Sequence, residues 1–100
     1  MSEETEIRSF YDITYEEDRE ELAKLIQRGV RLDTTITAPE DLSEVRTSIE
    51  DLVRRLGGEL IEVDSSSWPK RLSVKFRLGE SVRELRLLKI EEGAYKPELV

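Results

Sequence analysis

The stretch from Leu42 to Leu56 constrains this chain most. Leu42, Val45, Ile49, Leu52, Val53 and Leu56 recur at spacings of 3, 4, 3, 1 and 3, which puts them on one face of a helix. Arg54 and Arg55 fall in the last turn, where cations suit the helix dipole, and Gly57-Gly58 stops the element. Glu59–Asp64 follows at once as a short strand led by Leu60, Ile61 and Val63. A helix with a single apolar stripe, tied by two glycines to a strand, has to lay that stripe on a sheet.

The same pattern occurs earlier in the chain. Glu6–Ile13 reads as a strand with Ile7, Tyr11 and Ile13 on one face and Arg8, Phe10 and Asp12 on the other. Thr14-Tyr15-Glu16-Glu17 has the form of a capping box, and a helix is predicted to run to Arg28 with Tyr15, Leu22, Leu25 and Ile26 as its buried stripe. Gly29 ends it. Val30–Thr37 alternates Val30, Leu32, Thr34 and Ile36 against Arg31, Asp33, Thr35 and Thr37, the signature of a strand with one buried face. Pro39 then opens the helix described first.

After the Ser65–Lys70 loop, Arg71–Leu78 points Leu72, Val74, Phe76 and Leu78 inward and Arg71, Ser73, Lys75 and Arg77 outward. Gly79-Glu80 suits a two-residue hairpin turn, and Val82–Ile90 is predicted as the last strand, the competing reading being a helix capped by Ser81 with Glu84 three residues on. Pro97 cannot donate to a ladder, so 92–100 reads as a flexible tail, as do residues 1–5. The expected architecture is α+β, one domain over 1–100. It is a two-layer sandwich in the order β-α-β-α-β-β-β, with two helices packed on one face of a mixed sheet and the opposite face wet or covered by a partner.

Composition removes several function classes. The chain has no Cys and no His, which excludes thiolate chemistry, disulfides and the commonest acid–base and metal-binding side chain. No apolar run approaches the roughly 18 residues needed to span a bilayer, and the acidic start is unlike a signal peptide, so a cytoplasmic protein with no membrane partner is expected. No G-x-S-x-G, phosphate-cradling loop or paired-carboxylate signature is present, so no enzyme, metal or cofactor is expected. Absence of Cys and Asn beside abundant Glu and Arg is a thermophile-like composition, and also that of a designed chain without a biological ligand.

Two segments, LAKLIQRGVRLDTTI and SIEDLVRRLGGELIEV, give residues 1–78 a β-α-β-α-β-β pattern. It resembles that of the C-terminal domain of bacterial translation initiation factor three and of Alba-type nucleic-acid-binding proteins. DLSEVRTSIEDLVRRLGGELIEV, with WPKRLSV after it, is also similar to the first helix and hairpin of ferredoxin-like ribosomal proteins. Those likenesses imply RNA or DNA binding through Lys/Arg-rich helix ends, loops or strands. The first helix here departs from that pattern, since it opens on Glu16, Glu17, Asp18, Glu20 and Glu21.

Charge is segregated along the chain. Residues 1–21 hold nine acids and two bases and so carry the whole net charge of −7. The later hairpin is locally basic. Two candidate surfaces follow. Phe10, Arg31, Thr35, Trp68, Arg71, Lys75 and Arg77 form a candidate interaction surface on the open sheet side. Asp12, Glu16, Glu17, Glu20 and Glu21 form a candidate acidic surface. The preferred expectation is a non-enzymatic protein–protein interaction or assembly module whose partner is another protein or a second copy. RNA or single-stranded DNA bound on a basic sheet face with Phe10 as a stacking platform is the alternative, disfavoured by long-range repulsion between net −7 and phosphate. Trp68 reads equally as an interface anchor or as a lid folded back on the core.

Overall fold

The computed structural model describes residues 7–100. The expectation for 1–5 lies outside that range. Eight elements follow in order: β1 (Phe10–Asp12), α1 (Glu16–Gln27), β2 (Thr35–Thr37), α2 (Leu42–Arg55), β3 (Glu59–Asp64), β4 (Arg71–Leu78), β5 (Ser81–Glu91) and β6 (Ala94–Leu99). One six-stranded sheet runs β1-β2-β6-β5-β4-β3. β1 and β2 are parallel and every other neighbouring pair is antiparallel. Because β2 and β3 lie far apart in that order, α2 has to traverse the sheet between them, and its long stripe serves that crossing.

The core lies between the helices and one sheet face. Leu22, Leu25 and Ile26 of α1 and Val45, Ile49, Leu52 and Val53 of α2 are buried against Tyr11, Ile36, Leu72, Val74, Phe76, Leu85, Leu87 and Tyr95 of the strands. The helix residues are stripe positions read from the sequence, and one such position departs from the reading: Tyr15 is 64% exposed. It sits at the N-cap of α1 without a side-chain cap bond. The expected capping box does not form, because Asp12 takes both the Thr14 amide (2.9 Å) and the Thr14 hydroxyl (2.7 Å). The shorter turn wins the hydroxyl before the helix can use it. α2 is capped as a helix start should be, by the Asp41 carboxylate accepting from the Ser43 amide at 3.0 Å.

Residues 92–100 are not a tail. Ala94–Leu99 forms β6, an interior strand lying between β2 and β5. Pro97 is tolerated there for a geometric reason. Glu84 and Val100 exchange both backbone bonds (3.2 and 2.8 Å), so Lys96 and Glu98 also face β5 and Pro97 faces the β2 side. β2 is shorter than expected and starts at Thr35, so no ladder bond is asked of the missing N–H. The strand count is therefore one higher than the sequence reading gave, within the same two-layer α+β arrangement.

A candidate protein-interaction face

Cross-strand register assigns the bare side of the sheet residue by residue. The alternation that buries Leu72, Val74 and Phe76 turns Arg71, Ser73, Lys75 and Arg77 to the other face. Phe10 and Thr35 share that face as paired neighbours of β1 and β2. Phe10 is 61% exposed, and Val82 and Ile90 of β5 are 59% and 57% exposed. Lys75, Arg71 and Arg77 are exposed as well, and no segment among the described residues seals them.

The register also places beside these bases residues that sequence reasoning missed. Glu59 pairs with Arg77, Glu62 with Lys75 and Asp64 with Ser73 across β3–β4. Glu84 stands opposite Lys75 across β4–β5, and Glu98 opposite Arg86 across β5–β6. Side chains follow the register: Arg77 reaches Glu59 at 3.6 Å, and Arg86 reaches Glu84 at 2.9 Å and Glu98 at 3.8 Å. The Arg86 hydrogen bond holds the Glu84 carboxyl below its ordinary range. The face is thus a lattice of alternating charge: Glu59 pairs with Arg77, Glu62 and Glu84 stand opposite Lys75, and Glu84 and Glu98 engage Arg86 of β5. Ser73 is buried within it, and its hydroxyl has no partner within hydrogen-bond geometry among the described residues.

The other candidates are distributed elsewhere. Trp68 folds back: its ring stacks on Tyr95 (centroids 5.4 Å apart, planes at 11°) and its indole N–H donates to the Glu40 carbonyl at 3.1 Å. It closes the end of the core on the helix side and is not part of the bare face. Arg31 lies in the segment before β2, exposed but apart from the β4 bases.

The acidic residues divide by role. Asp12 is consumed in the turn. Glu16 bonds Arg55 at 2.7 Å, Glu20 lies 3.7 Å from Lys24 and Glu21 lies 3.5 Å from Arg8. Glu17 is exposed and has no ion-pair partner among the described residues. Asp18, read from sequence as one of the solvated acids opening the first helix, is instead buried; its carboxylate accepts from the Asp12 amide at 2.7 Å and from Arg8. That amide lies on the open side of β1, so Asp18 and Arg8 close one sheet edge. Asp51 joins the helices by accepting from Arg55 and Arg19, both at 2.7 Å, and these two bonds lower its pKa.

Among the described residues no helix is long and apolar enough to cross a membrane. No family model, curated protein sequence or solved structure matches this chain.

Proposed function

We propose that this is a non-enzymatic protein-interaction module that docks a partner protein on the bare face of its sheet. The observation carrying this reading is that face: six strands wide, unroofed by any described segment, with Phe10, Val82 and Ile90 standing out from paired charged rows. Apolar side chains set among paired charges resemble a recognition surface in composition, since specificity comes from the pattern of charge and affinity from a few apolar anchors. The acids interleaved with the β4 bases, Glu59, Glu62 and Glu84, support a protein partner over nucleic acid, because they repel phosphate from the same face.

Size exclusion with light scattering, run with and without added salt, together with affinity capture, tests the reading. The wild type is compared with F10S and with K75E/R77E. Self-association or capture of a defined partner that is lost in these variants, with the circular dichroism spectrum unchanged, supports it. A strict monomer that captures nothing, or capture unaffected by both variants, overturns it.

A further inference from the structure

β6 is an interior strand for only part of its length. Tyr95 pairs with Ile36, but β2 begins at Thr35, so Pro97–Leu99 continues with no strand on that side. The alternation set by Glu84 and Val100 turns the Leu99 N–H and C=O and the Pro97 C=O toward the gap. Thr34, the residue that would zip against Pro97, donates its hydroxyl to the Arg8 carbonyl at 2.7 Å, on the β1 side. The result is a cleft of about 530 Å³ between residues 29–33 and 96–100, within the range of about 300–1,000 Å³ that ligand sites occupy.

Its lining has a definite chemistry. Val30 and Leu32 supply apolar surface, and Arg31, Arg83 and Lys96 supply charge. Among the described residues Arg31 and Lys96 are in no ion pair, whereas Arg8, Arg19, Arg55, Arg77, Arg86 and Lys89 all are. Arg83 is held in place through its Nε, which donates to the Val100 carbonyl at 3.2 Å. Of the two acidic side chains lining the cleft, Glu98 lies 3.8 Å from Arg86, and Asp33 has no ion-pair partner among the described residues.

We propose that this cleft binds a short extended peptide of alternating acidic and apolar residues, added as a strand to the open edge of β6. The edge offers one donor and two acceptors, which match an antiparallel strand whose residues opposite Leu99 and Pro97 each present an N–H. The open length, about three residues at roughly 3.3 Å each, is about 10 Å. Residues opposite Leu99 and Pro97 share their inward face and meet Val30 and Leu32. The intervening residues point to the face that carries Lys96, where their carboxylates meet Lys96 and the exposed Arg31 lining the same cleft; Arg83, in register with Phe76, belongs to the inward face. Nucleic acid has no backbone N–H for the Leu99 and Pro97 carbonyls.

Fluorescence anisotropy with a labelled Glu-Val-Glu-Val-Glu peptide tests this, with Lys-Val-Lys-Val-Lys as control. The acidic peptide is expected to bind saturably and the basic one not to bind. R31A and K96A are each expected to weaken binding about five-fold, the equivalent of about 1 kcal/mol. N-methylation of the valines abolishes binding and N-methylation of the glutamates leaves it intact. K75E/R77E leaves it intact as well, which separates this site from the bare face. Three results overturn the proposal: no binding at millimolar peptide, binding insensitive to valine N-methylation, or a Leu99 amide already protected from exchange in the free protein.

Discussion

Removal of β6 distinguishes the observed fold from a five-strand reading of the same residues. The key side chain is Tyr95, only 1% exposed and stacked on Trp68. A buried Tyr removes about 150–250 Å² from water. At about 25 cal/mol per Å² that is about 4–6 kcal/mol as an upper bound, and large-to-small aromatic substitutions in cores cost about 3–5 kcal/mol. Y95A is therefore expected to destabilise by about 3–4 kcal/mol, a Tm loss of about 15–20 °C for a domain of this size. Y95F should cost under about 0.5 kcal/mol, because the hydroxyl makes no hydrogen bond among the described residues. Deleting Glu92–Val100 removes Tyr95 together with the ladder to β5 and the bonds to β2. That sum reaches the total stability of about 5–15 kcal/mol available to a small domain, so the truncated chain is expected to be unfolded at 25 °C. Urea denaturation followed by circular dichroism and Trp68 fluorescence reads both variants. A truncated chain that keeps a cooperative transition within about 1 kcal/mol of the full chain refutes the placement of β6.

Three further outcomes follow from local geometry. At Gly58 an added Cβ would stand 2.8 Å from the Arg77 carbonyl, so G58A should cost more than about 1 kcal/mol in urea denaturation. D18A leaves the Asp12 amide without its acceptor and Arg8 with only the more distant Glu21 and should cost about 2 kcal/mol, with non-additivity in a double-mutant cycle with R8A. Asp51 has its folded pKa lowered from an ordinary 3.8, first by Arg55 and then by Arg19. Its contribution is therefore complete above that ordinary value and lost as pH falls through the lowered one; a stability–pH profile should show this loss, and D51N should remove it.

The helices were legible because their information is local. Six apolar residues at helical spacing and two glycines define α2 without reference to any other part of the chain. β6 was legible in part: Tyr95, Pro97 and Leu99 alternate with Lys96 and Glu98. The rule against Pro in interior strands obscured it, since its exemption depends on where β2 stops. The charge lattice was not legible at all. Lys75 and Arg77 read as a basic stripe along β4, but which strands flank them is a property of topology. Trp68 was undecided for the same reason, its partner Tyr95 lying 27 positions away on a strand not yet assigned. Thr14 misled because two hydrogen-bonding patterns competed for one hydroxyl and the nearer acceptor took it.

The central claim is that the helices roof one side of the sheet and leave the other bare, and adjacent residues of β4 test it most directly. The chain contains no Cys, so single-cysteine variants K75C and V74C carry one thiol each. Under native conditions K75C is expected to react with a thiol reagent at close to the rate of an unfolded peptide. V74C, at a position buried in the wild type, is expected to react only through global opening, slower by orders of magnitude. Equal rates at the two positions, or protection of K75C in the monomer, would contradict the account.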